Sequence, residues 1–266
     1  MKKRNWNLII GCILGGGLLL FAIIGQFWTP YDSTAMNSML KYDPPSFAHL
    51  MGTDNFGRDI FSRIMSGTWT TCFVAICTVL IGAVGGTVIG ALTGYFGGWV
   101  DQVVMRITDA ILSFPSVLLA LVLISFLGPG KNNIIVALGI LFIPSFSRIV
   151  RSEFIRIRQL DYVWSAKIMG AGSWRIMFVH ILPNCFVSML TAAAIGFNNA
   201  VLAEASMSYL GLGVQPPETS LGRMLQEAQT YLFNAPWYAL APGITIVLIV
   251  LGFALISEGL RAMSTD

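Results

Sequence analysis

The residues best suited to chemistry fall in two groups. The first is the stretch 148–183, which sets arginines, a lysine and the aromatics Tyr162, Trp164 and Trp174 between two apolar runs. Such basic, aromatic-bearing segments anchor protein interfaces or rest at headgroup level. The second is the polar group Asn198, Asn199, Glu204, Ser206 and Ser208, late in another apolar run. A carboxyl and amides there either line a path for solute or hydrogen-bond locally as structure. Neither pattern is catalytic. No GxxxxGK[ST] phosphate loop occurs, since Gly128-Pro129-Gly130-Lys131 lacks both the spacing and the hydroxyl, and GxSxG and HExxH are absent. His49 and His180 fall on opposite sides of the apolar runs, so they share neither a metal nor a triad. No catalytic residue and no metal ligand set is expected.

The elements that hold these groups are apolar. The chain of 266 residues is 55% hydrophobic and only 11% charged, well below the charged fraction of soluble domains. Charge-free windows cover residues 8–27, 64–100, 110–130, 132–147, 176–203 and 228–257, the fourth being the shortest. A spanning helix needs about 20 mostly apolar residues, and backbone in hydrocarbon must satisfy its own hydrogen bonds. The expected fold is therefore all-α, a polytopic membrane protein of about six transmembrane helices. Its surroundings are the lipid bilayer, not nucleic acid. The first window is long for a signal peptide and ends without a small-residue cleavage pattern, so it reads as a retained helix with Phe27 and Trp28 in the interfacial belt. The cysteines Cys12, Cys72, Cys77 and Cys185 lie in the apolar windows and read as small packing residues.

With the N-terminus placed in the cytoplasm, 11 of the 16 Lys and Arg residues fall on the inner side, Lys2, Lys3 and Arg4 among them. Positive charge near short loops fixes orientation, so both termini are expected in the cytoplasm. Residues 1–28 then form a cytoplasmic tip and first helix, 29–68 an extracytoplasmic loop, and 69–266 the helical core with a cytoplasmic loop at 148–183. A second outer segment covers 206–238.

Finer patterns predict local contacts. Gly82, Gly86, Gly90 and Gly94 recur every fourth residue, a flat seam for close approach of another helix, with Gly11 and Gly15 as a shorter version. Arg106 is expected to pair with Asp101 or Asp109. In the basic loop, Asp161 suits an N-cap and Gly170 the left-handed residue after a C-terminus, which predicts a short helix over 162–169. Ser173 suits the cap of the next helix, which runs through Arg175 and Pro183. A short stiff helix between two spans acts as a lever.

The run Asp161 to Ala171, continued by His180-Ile181-Leu182-Pro183-Asn184, resembles the EAA loop of binding-protein-dependent ABC transporter permeases. The stretches His49 to Asp59, Gly94 to Asp101, Phe114-Pro115-Ser116, and Ala203 to Ser206 with Leu210 to Pro217 resemble the second permease of dipeptide, oligopeptide and nickel importers. The resemblance implies a type I ABC importer (MetI-like) permease in the bacterial inner membrane, moving di- or oligopeptides, nickel or metal chelates. It implies a second homologous permease, two ATP-binding cassette ATPase subunits and an extracytoplasmic solute-binding protein. This chain would bind no cofactor and catalyse nothing, with ATP and Mg on the partner subunits. The ATPase-coupling loop would comprise Asp161, Tyr162, Trp164, Ser165, Ala166, Gly170, Ala171, Trp174 and Pro183, and Asn198, Asn199, Glu204 and Ser206 are candidates for the translocation path. Trp164 stands where the motif has glutamate and Ser165 where it has its first alanine, so either docking here is more apolar or the charged contact comes from the other permease. The alternative is a stand-alone secondary transporter or channel, which wants ionisable groups near the midplane, whereas this chain offers only Glu204, near an edge.

Overall fold

The structure, a computed structural model, describes residues 5–265, with side chains through Ala262. Lys2, Lys3 and Arg4 lie outside the described residues. The first helix, α1 (Trp6–Phe27), is followed by an irregular segment and then α2 (Ile60–Phe96). The Asp59 side chain accepts from the Ser62 N–H at 2.8 Å. This cap starts α2 several residues before the outer loop was expected to close. The expected window 110–130 is not one rod. It divides into α3 (Gly98–Leu112) and α4 (Ser116–Leu127), bent by 92° at Ser113-Phe114-Pro115. Pro115 has no N–H and disfavours helical backbone at Phe114, which breaks the helix there.

The fourth window proves to be the core of a long helix, α5 (Lys131–Arg158), because the arginines beyond Ser147 remain helical. A short helix, α6 (Asp161–Ile168), follows at once. Then α7 (Ser173–Arg175) passes through a π-helical stretch, Ile176–Ile181, and a 3-10 turn, Leu182–Cys185, into α8 (Phe186–Tyr209). The chain closes with α9 (Leu221–Ala228) and α10 (Pro236–Thr265).

The glycine seam decides the direction of packing. A Cβ on Gly82 would meet Phe142, on Gly86 Phe146, on Gly90 Ser147 and on Gly94 Phe154. Both numbers rise together, so α2 and α5 lie parallel with their backbones in contact. Parallel neighbours require the chain between them to cross back, so α3 and α4 together make a single bent span and the crossings among the described residues number six. The other glycine seam runs antiparallel. Gly11 abuts Gly252 and Ile256, Gly259 abuts Leu8, and Asn5 donates to the Gly259 carbonyl at 2.7 Å. Both ends of the described chain therefore share one side of the bundle with α6. The expected Arg106 pair does not form. Asp101 is held by Arg151 at 2.6 Å and Asp109 by Arg148 at 2.6 Å, which pins α3 to the last turns of α5.

Candidate functional site

Three features sit on this frame, at the α6 end, in the middle and at the opposite end. At the first, α6 begins at an extended Leu160 (φ −79°, ψ 146°) that carries no side-chain cap. Asp161 is the first helical residue rather than the N-cap, where its charge still complements the helix dipole. Ser173 is likewise the first residue of α7, after an extended Gly172. The other end matches the expectation from sequence: Gly170 has φ +85°, the Ala171 N–H reaches the Ala166 carbonyl at 3.0 Å, and the Gly170 N–H reaches Lys167 at 3.1 Å. This pair of bonds is the Schellman closure, and it needs a residue tolerant of positive φ.

Val163 and Ala166 turn inward and are buried, and Val163 joins Phe154 and Ile157 of α5 with Ile176, Met177, Ile181 and Cys185 of the following stretch. The outward face carries large apolar side chains: Trp164 is 54% exposed, Ile168 83%, Met169 81% and Trp174 63%. Lys167 lies over the Trp164 ring at 5.1 Å, and Trp174 stacks on Phe178 with centroids 5.8 Å apart. Pro183 gives no N–H to the helix ladder, and the backbone around it widens and then tightens. The His180 carbonyl is taken by the Asn184 amide at 2.7 Å and the Tyr162 hydroxyl at 3.3 Å. Of the expected coupling residues, Ala166 is buried and Ala171 half-buried, while Asp161, Tyr162, Trp164, Ser165, Gly170, Trp174 and Pro183 are exposed.

In the middle, a cavity of about 500 Å³ opens between α4, α5 and α8. Its walls are apolar apart from Ser116, Ser145, Asn199 and Ser206, and no charged residue lines it. Asn199 and Ser206 are two turns apart on one face of α8. The other two polar candidates are absent from that lining. Asn198 sits against α10, its amide placed to donate to the Val250 carbonyl at 3.2 Å and to accept from Ala254 at 3.1 Å. Glu204 is wholly buried and accepts from the Ser208 hydroxyl at 2.6 Å, and that hydroxyl in turn accepts from the Val214 N–H at 3.1 Å.

At the opposite end lies an ion cluster that spacing along the chain does not reveal. Arg63, 1% exposed, donates to Asp54, to Glu227 at 3.0 Å and to the Tyr238 hydroxyl at 3.1 Å. Arg58 bridges the same carboxylates at 2.6 and 2.9 Å, and Arg223 reaches Glu227 at 3.2 Å. Burial alone would raise the Glu227 carboxyl. Arg63, the Tyr238 hydroxyl and Arg58 outweigh it and hold the group at about 2. Nearby, Asp59 accepts from His49 at 2.9 Å and from the Ser62 hydroxyl at 2.7 Å. The one hint in sequence is the concentration of charge at Asp54, Arg58, Asp59 and Arg63 in a chain with so little of it.

Comparison with known proteins matches these features to a family. Residues 86–264 match the binding-protein-dependent transport system inner membrane component family, a range that takes in Gly86, Gly90 and Gly94 of the seam, α6 and the cavity. A dipeptide transport system permease protein of Alkalihalophilus pseudofirmus is 39% identical over 97% of this chain and 85% of its own length. A glutathione transport system permease protein of Pectobacterium atrosepticum is 42% identical over 92% of this chain and 82% of its own. A dipeptide transport system permease protein of Haemophilus influenzae is 37% identical over 97% and 90%. With a bundle of six crossings, a loop helix clamped between two of them and a cavity along one face, this chain belongs to the binding-protein-dependent transport system inner membrane components, as a multi-pass permease subunit that forms part of a translocation path.

Proposed function

We propose that the chain is one of two permeases in an ATP-driven importer of short peptides, coupled to two ATPase subunits and supplied by an extracytoplasmic binding protein. The relatives named for dipeptides and glutathione favour peptide cargo over nickel or a metal chelate. Both termini and α6 face the cytoplasm in this reading, and the segments before α2 and around α9 face outward. The observation that carries it is the build of α6. A two-turn helix, closed at Gly170, is packed through Val163 onto both α5 and the α7–α8 stretch, with large apolar side chains outward. Closing ATPase subunits that grip this face move α5 and α8 together. Those are two of the three helices around the cavity, so Asn199 and Ser206 are the path residues of this permease. Discrete two-state coupling needs such a rigid connection. A stand-alone secondary transporter calls for charge at its substrate site, and the cavity lining has none.

Isolation from native membranes tests the assembly: ATPase subunits and a second permease are expected to copurify. Uptake of a radiolabelled dipeptide, and not of nickel, is expected to fall when the chain is deleted. Uptake by the chain alone in liposomes, driven by an ion gradient, overturns the reading.

A further inference from the structure

A second cavity, of about 490 Å³, lies beneath α6 where α2 and α5 end. We propose that it binds the phosphate of an anionic phospholipid headgroup. Arg158, Gln159, Lys167 and Ser173 supply its polar wall, and no carboxylate is among the residues lining it. Arg158 is fixed by a hydrogen bond to the Tyr95 carbonyl. Lys167 stands over Trp164, and among the described residues neither cation forms an ion pair with a carboxylate. Two uncompensated cations with hydroxyl and amide donors make an anion site, and a phosphodiester accepts from several such groups at once.

Depth in the membrane points to lipid as the source of that phosphate. At 1.5 Å per residue α5 is about 42 Å long, which covers the hydrocarbon and both headgroup layers. Its first residue, Lys131, pairs with Glu218 at the far surface, so Arg158 falls at headgroup level on the near one. Phe96, which lines the cavity, and Trp99, three residues on, are exposed, as interfacial aromatics are. Basic pockets between spans at this level take anionic headgroups, and a lipid held here would sit between α6 and both helix ends. The site does not depend on which cargo is carried.

The test is native mass spectrometry of the full chain, isolated in detergent and offered phosphatidylglycerol, phosphatidylcholine or inorganic phosphate. The expected result is a discrete phosphatidylglycerol adduct, weakened about tenfold or more in a Gln159→Glu, Lys167→Glu variant that melts at the wild-type temperature without lipid. Ser173→Asp, at the exposed rim, gives the same loss by a separate route should the double variant fold poorly. Equal retention of phosphatidylcholine, unchanged binding in the variants, or saturation by inorganic phosphate alone overturns the lipid assignment. So does a cysteine at Ser173 that crosslinks to a protein partner and not to a photoreactive phosphatidylglycerol.

Discussion

The Arg63 guanidinium meets the Glu227 carboxylate at 3.0 Å across 164 positions of sequence, and through its other terminal nitrogen it holds Asp54. One side chain thus joins the segment that leads into α2 to the lip formed by α9. Arg58 repeats the connection at 2.9 Å, and Tyr238 adds its hydroxyl from the start of α10 at 2.8 Å. Three separate stretches of backbone are held as one body at the end of the bundle opposite α6.

Removing Arg63 should therefore cost far more than removing an ordinary surface pair. Arg63→Ala leaves Asp54, itself without exposed surface, short of a partner, and breaking a buried pair from one side costs about 3–5 kcal/mol. Breaking the exposed Lys131–Glu218 pair with Glu218→Gln should cost less than about 1 kcal/mol. Thermal melting in detergent, with limited proteolysis of residues 29–59, should rank the two in that order.

Acid should loosen the same clasp in a defined window. Glu227 titrates at about 2 when folded, below the roughly 4.3 of an unfolded glutamate, so the unfolded chain takes its proton first as pH falls. Its stabilisation is complete above about 4.3, declines below that, and is gone once pH passes through about 2. Hydrogen exchange in α9 between pH 5 and 2.5 should show the decline, and Glu227→Gln should remove this group's share of it.

The two kinds of glycine should respond unequally to a methyl group. At Gly86 a Cβ would stand 2.4 Å from the Phe146 Cβ, and at Gly90 2.5 Å from the Ser147 carbonyl oxygen. Gly86→Ala or Gly90→Ala must part α2 from α5, at about 1–3 kcal/mol each. Gly16 has no atom within 4 Å of that position, and Gly16→Ala should change stability by less than about 0.5 kcal/mol. Melting temperatures of the three variants in one detergent decide this.

Gly170 separates backbone strain from crowding. Nothing lies within 4 Å of a Cβ there, so Gly170→Val is opposed by the φ of +85° alone, at about 1–2 kcal/mol. The bundle should still fold, while α6 loses its defined end. ATP hydrolysis by the assembled importer should persist and substrate moved per ATP should fall several-fold. Normal uptake in this variant removes α6 from the coupling role.

Much of this architecture was legible in the residues themselves. Spans announce themselves because backbone in hydrocarbon can only be helical, and Gly170 announces a helix end because few other residues accept its φ. The same local logic marked the glycine seam and the motifs around α6. Local signals erred by one position at Asp161 and Ser173, where the turn of the backbone and not the capping side chain set the boundary. They also overstated one window, since the bend at Ser113-Phe114-Pro115 leaves composition unchanged. What only the tertiary structure decided was pairing at a distance. Arg148 with Asp109, Arg151 with Asp101 and Arg63 with Glu227 are 39, 50 and 164 positions apart, and no periodicity relates them. The same holds on α8, where Asn199 and Ser206 face a cavity while Asn198 and Glu204 face protein. Helix period says which residues share a face, but only the helices packed around α8 determine which face is open.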